Sequence, residues 1–268
     1  NTTGCKNNAF GDSALTANTS GCCNVAVGNA ALSSNTTGCR NTAIGINAST
    51  SNQTGCCNVS VGAFSLEQNS TGCCNVAVGI LSLNRNTTAN NNVAVGHASL
   101  DQNTTGHTNV AIGNNALDAN TTGCKNTAVG RHALSSNTTA NNNTAIGCGA
   151  MIANTEGADN VAVGKDSLVT ATTGVNNTAV GASSALRLTT GSQNAMFGHN
   201  AGDNVTTGSN NVLLGESAGN DAMINVTTAS TQIVLGNNAS TNATIKIDWT
   251  VTSDLRDKTE IKDVKHGL

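Results

Sequence analysis

The chain has 268 residues, of which 37% are hydrophobic, 1% aromatic and 10% charged, with a formal net charge of −3 and neither proline nor tyrosine. So few large side chains cannot fill the core of an ordinary globular domain of this length. The lysines and arginines are scattered singly, which excludes a basic nucleic-acid groove, and no apolar run approaches the roughly 18 residues of a membrane-spanning helix.

The order in the sequence is periodic. Gly11, Gly28, Gly45, Gly62, Gly79, Gly96, Gly113, Gly130, Gly147, Gly164, Gly181, Gly198 and Gly215 follow one another at intervals of seventeen residues without an insertion. Strict spacing of this kind is expected when each copy lies directly on the last, because one extra residue would move every later side chain out of line. The repeat is already under way at Asn1, so the chain reads as a portion of a longer one.

Within each copy the residue before the glycine is large and apolar, as at Phe10, Val27, Ile44 and Val61, the one before that is nearly always alanine, and the one before that is mostly valine or threonine. Period-two alternation with β-branched residues predicts a short strand, with Val25 and Val27 on one face and Ala26 on the other. The glycine then ends it at a bend. A second step, Ala14, Ala31, Ala48, Ser65 and onward, usually followed by leucine, predicts a second strand, with a helix of barely a turn and a half as the competing reading. Asn-Thr-Thr-Gly closes the coil as a turn. The expectation is an all-β parallel solenoid, a β-roll of 17-residue coils over residues 1–220. With strands about 4.8 Å apart it makes a rod roughly 60 Å long. The smooth methyl strip of the Ala26 column is expected to let one solenoid pack closely on another, in a homotrimer about a central axis. A capped monomeric solenoid is the alternative.

Two further columns stand out. Cys5, Cys22, Cys39, Cys56, Cys73 and Cys124 share one, Cys23, Cys57 and Cys74 the next, and Cys148 lies elsewhere. Disulfides between coils or chains in an oxidising exterior are expected, with small buried thiols as the alternative; C-x-x-C spacing is missing, so no metal site is expected. Asn1, Asn18, Asn35, Asn52, Asn69, Asn86, Asn103, Asn120 and Asn137 each open a sequon. They read either as a ladder of turn asparagines or as glycosylation sites forming a glycan stripe along one edge. His97, His107, His132, His199 and His266 occupy variable positions and read as surface residues. Neither a recurring carboxylate pair nor a phosphate-binding loop is present, so no enzymatic role beyond self-processing, and no cofactor, is expected.

The NVAVG element followed by an Ala/Ser step resembles the head repeats of bacterial trimeric autotransporter adhesins, in which similar strands build a left-handed parallel β-roll from three chains; the adhesin repeat is shorter. After Gly215 the register breaks, the next comparable glycine being Gly236, and residues 221–252 read as an irregular β transition containing Trp249. The segment TSDLRDKTEI then resembles the entry to the self-cleaving intramolecular chaperone at the C-terminus of phage tail fibres, neck appendages and endosialidases. That resemblance implies cleavage at Thr252–Ser253, with Ser253 as nucleophile and Lys258 as base; Asp254 and Arg256 match the motif without an assigned role. Residues 253–268 hold only the start of such a domain, so no cleavage is expected here, and a charged helix start capped by Ser253 is the bland alternative. A trimerising domain at one end would suit this repeat, because identical coils can pair in slipped registers of similar energy.

These readings converge on a segment of a viral tail or capsid fibre, exposed on the virion or outside the cell, trimeric and engaging a host-cell receptor or glycan. The alternatives are a bacterial trimeric surface adhesin and a purely structural extracellular filament.

Overall fold

The computed structural model describes residues 2–220 and 225–241. These form an all-β parallel solenoid of fourteen three-residue strands, from β1 (Asn8–Phe10) and β2 (Val25–Val27) to β13 (Val212–Leu214) and β14 (Ile233–Leu235), joined in chain order into one sheet. Each strand pairs with the next in the same register: Val25 faces Thr42, Ala26 faces Ala43 and Val27 faces Ile44. The final step, from Val212 to Ile233, is 21 residues long, so that coil carries 21 − 17 = 4 more residues and the strand stack extends past residue 220.

Only one strand forms per coil. The expected second strand is a run of turns, because alternate residues there take left-handed backbone conformations, with φ of 55° at Ala30 and 51° at Leu32. Coil-to-coil hydrogen bonding nevertheless continues through this run. The Ala30 N–H donates back to Asp12 O at 2.8 Å and the Leu32 N–H forward to Ala48 O at 3.1 Å, while Ala31 closes a turn onto Gly28 O. A left-handed leucine costs about 1–2 kcal/mol, and the stack sustains it because that conformation turns the side chain inward, where Leu32 is fully buried. Gly28, with φ of 135°, is required for a different reason: a Cβ there would lie 2.4 Å from the carbonyl oxygen of Gly45 in the next coil.

The alanine strip is interior, which corrects its assignment as a docking surface. Ala26, Ala43, Ala77 and Ala94 are fully buried, whereas the flanking valines and isoleucines point outward. The coil is so narrow that only a methyl group fits between the strand and the leucine opposite. Where one column changes, its neighbours compensate. Met196 replaces the alanine where Gly202 replaces the leucine, and Leu213 does so where Gly219 does; a Cβ on Gly202 would lie 2.2 Å from Met196 Sδ. Ser49 and Ser60 exchange two apolar positions for a buried hydroxyl pair at 2.8 Å.

Two asparagine ladders tie the coils together. In the first, Asn35 Nδ2 donates to Asn18 Oδ1 at 2.8 Å and to Gly38 O at 3.0 Å. In the second, Asn24 Nδ2 reaches the same Gly38 O at 2.8 Å, and Asn24 Oδ1 accepts from the Asn41 N–H at 2.9 Å. One carbonyl thus uses both lone pairs on two ladders. The first ladder stops where Ala171 replaces asparagine, leaving Asn154 Oδ1 buried without a partner, and Leu188, Val205 and Val226 continue the column as apolar core. The second runs on to Asn211, whose Oδ1 accepts from the Gln232 N–H.

Asn103→Ala is expected to cost about 3 kcal/mol, since it leaves Asn86 Oδ1 without its buried donor and strips one bond from Gly106 O; the urea midpoint measures it. Gly202→Leu should destabilise by about 1–3 kcal/mol through overpacking and Met196→Ala by about 2–5 kcal/mol through a cavity. The double variant should recover most of both losses, a coupling that a double-mutant cycle reads directly.

Candidate functional surface

The outward sheet face follows from the strand alternation. Its two columns begin at Asn8 and Phe10 and end at Ile233 and Leu235, and no strand contains a charged residue. Every residue in the Phe10 column is apolar, and many are substantially exposed: Phe10 at 78%, Ile44, Ile112 and Phe197 at 41%, and Leu235 at 55%. Exposed Ile46, Phe64 and Ile80 widen the strip around the third to fifth coils. Water therefore meets an unbroken ribbon of β-branched, leucine and aromatic side chains along the rod, the kind of contiguous apolar surface that marks an interaction site.

The threonine turn lies on another edge. The Thr36 hydroxyl donates to Gln53 O of the next coil at 3.0 Å, a bond repeated by Thr104 and Thr121. The adjacent Thr37 column is exposed.

The sequon asparagines are not available for glycans. Asn18, Asn35, Asn52, Asn69, Asn86, Asn103, Asn120 and Asn137 are at most 2% exposed, and their side-chain amides belong to the first ladder. A sugar on Nδ2 would displace that interior bonding, so the glycan-stripe expectation is corrected for these eight positions. Asn1 lies outside the described residues.

Within the chain no bridge joins Cys5, Cys22, Cys23, Cys39, Cys56, Cys57, Cys73, Cys74 or Cys124, nor Cys148 to any of them. In-register side chains point the same way at the coil spacing of about 4.8 Å, whereas a bridge needs Cβ atoms about 3.8 Å apart. The buried-thiol alternative fails as well, since each of these thiols is exposed or half-exposed. The first cysteine column instead accepts hydrogen bonds from the backbone of the preceding coil: Cys5 N to Cys22 Sγ, Cys22 N to Cys39 Sγ and Cys39 N to Cys56 Sγ at 3.2 Å, and Cys56 N to Cys73 Sγ at 3.1 Å. Asn90, Asn141, Ser192 and Ser209 fill the same role further along. Cys23 stands in the next column with φ of 61°, exposed, and Cys57 and Cys74 repeat it.

The thiols are not electrostatically equivalent. Hydrogen bonds from the Cys5 thiol, 3.1 Å away, and from the Cys5 backbone N–H hold the Cys22 thiol below the ordinary range, while burial pushes Cys56 up. His97, His107 and His199 are exposed and His132 is half-buried. His199 approaches Glu216 at 3.8 Å. Among the described residues no three or more His, Cys, Asp or Glu side chains converge to hold a metal ion, and no helix is long and apolar enough to cross a membrane. Ser253, Lys258, Asp254, Arg256 and His266 lie outside the described residues.

Reading of the sequence missed the second asparagine ladder, although the conspicuous Asn before each strand (Asn24, Asn41, Asn58) carries its signal. It also missed the outward apolar ribbon, which needed only the observation that a three-residue strand cannot bury both faces.

Because the Cys22 thiol is lowered and the Cys56 thiol raised, Cys22 holds the larger thiolate fraction, and iodoacetamide is expected to label Cys22 before Cys56 as the pH is raised. Peptide mass mapping across a pH series checks the order. No family model matches the chain, and no curated protein matches it in sequence.

Proposed function

We propose that this chain is a rigid fibre segment of a virus, part of a tail or capsid fibre that projects from the particle and takes part in host attachment as a homotrimer. The observation that carries the reading is the unbroken apolar ribbon along one face of the rod. It begins at Phe10, runs in a single column to Leu235 and lacks any charge in its strands. A lone rod in water would leave this ribbon wet; three rods that turn it toward a common axis would remove it from water along their full length. Side-by-side contact of this kind replaces the alanine strip as the proposed interface. The remaining columns, threonine turns and variable polar positions, would face outward.

The proposed mechanism is mechanical. A stack sewn by backbone and asparagine hydrogen bonds holds binding elements away from the particle, and three equivalent chains raise avidity without strong single contacts. Ser253 and Lys258 fit this reading through their resemblance to the self-cleaving chaperone of viral fibres, which would align the three chains before the coils stack.

Light scattering is expected to give a mass near three times the 26.7 kDa of one chain; the same mass in reductant would show that the trimer is not held by disulfides between chains. Ile44→Lys with Ile112→Lys should shift the mass to one chain while leaving the circular dichroism of the coils in place. A monomeric wild type would defeat the trimer. Immunogold labelling of virions with antibody to residues 1–220 should decorate projecting fibres; label confined to a bacterial surface would instead favour the adhesin.

A further inference from the structure

Sulfur in the Cys22 column exceeds what the fold requires. The position must accept a backbone N–H from the preceding coil, and Asn90, Asn141, Ser192 and Ser209 do so at 2.6 to 3.1 Å. Oxygen is the better acceptor, and sulfur a weak one. Yet Cys5, Cys22, Cys39, Cys56 and Cys73 place sulfur there in five consecutive coils, and Cys57 and Cys74 repeat the pattern alongside. All are free and reach solvent.

The spacing decides which chemistry such a column can perform. Side chains stacked about 4.8 Å apart are too far apart for the Cβ separation of a disulfide, about 3.8 Å. Zinc and iron need three or four converging ligands, and no such group exists among the described residues. A linear bridge of two thiolates through one ion spans roughly twice a metal–sulfur bond of about 2.3 Å, close to one coil step of about 4.8 Å; the Cys5 and Cys22 sulfurs, 3.1 Å apart, reach that span by rotation of the exposed Cys5 side chain. Soft ions are the ones that thiolates select.

We propose that this column is a binding ladder for soft d10 cations of the copper(I) class, each ion held linearly between thiolates of two successive coils. Binding follows M⁺ + 2 RSH → [M(SR)₂]⁻ + 2 H⁺: two S–H bonds break, two metal–sulfur bonds form, both protons leave to buffer and no electron is transferred. The backbone N–H groups that already point at the sulfurs favour the thiolate form. Lys6 and Arg40 stand next in sequence to Cys5 and Cys39, where they oppose the negative charge of the loaded bridges. Five thiols pair into two bridges, and Cys57 with Cys74 makes a third.

Silver(I), a redox-inert substitute for copper(I), tests the ladder in chloride-free buffer with excess glutathione to strip singly held ions, with retained metal counted by native mass spectrometry. Wild type should retain about three ions per chain and release about two protons for each. Cys39→Ser leaves the pairs Cys5 with Cys22 and Cys56 with Cys73, so the count should stay at about three. Cys22→Ser with Cys56→Ser leaves no consecutive pair in the column, and the count should fall to about one. Serine occupies this column natively at Ser192 and Ser209, so both variants keep the hydrogen bond; unchanged circular dichroism verifies their fold. Zinc(II) should not be retained. Loss in proportion to the number of thiols removed, equal retention by all three proteins, or retention of zinc would each overturn the proposal.

Discussion

Every feature of this rod depends on one constraint: a coil must present its hydrogen-bonding groups in line with those of the coils on either side. The Gly38 carbonyl shows why the tolerance is so small. It accepts Asn35 Nδ2 from within its own coil and Asn24 Nδ2 from the coil before. Displacing the backbone by one residue would break both bonds and bury unpaired amides, each a loss of roughly 1–3 kcal/mol. Repeated along the stack, that penalty explains a spacing that does not vary over thirteen glycines. The single longer step falls where the first ladder has already given way to Leu188, Val205 and Val226.

Once hydrogen bonding fixes the coil, packing has little freedom left. An alanine and a leucine fill the interior of most coils, and several departures are local and paired: Met196 with Gly202, Leu213 with Gly219, Ser49 with Ser60. The left-handed leucine belongs to the same arrangement. In isolation its conformation is unfavourable, but it directs the largest side chain of the coil into the only space available. The fold therefore takes its stability from repetition of small, well-satisfied units rather than from a large apolar core.

The same economy shapes the surface. A three-residue strand directs one side chain inward and two outward, so the apolar residues that β propensity favours end up in water. In a chain with so little charge, that ribbon is the most strongly patterned outer face, and it supports the reading of lateral assembly. In the proposed cation ladder a structural role and a chemical one share a position, because a backbone acceptor is all the stack asks of that column.

The coil period, the parallel solenoid and the site of the strand were legible in the sequence, because each follows from a local pattern repeated in register: glycine every seventeen residues and the Val-Ala-Val alternation. Which side of the strand faces inward was not legible. Alternation defines two faces, and only the width of the closed coil, set by Leu32 opposite Ala26, decides that the alanines go in. The turn asparagines were equally ambiguous, since Asn-Thr-Thr reads as turn, ladder or sequon until Asn35 Nδ2 is seen on Asn18 Oδ1. The second strand failed for a related reason: residues 30–34 keep their coil-to-coil hydrogen bonds but alternate left-handed, a choice made by the need to turn leucine inward. Sequence periodicity thus determined the order and pitch of the rod, whereas contact between one coil and the next decided what is buried, what is exposed, which amides are tied into the ladders and which thiols reach solvent.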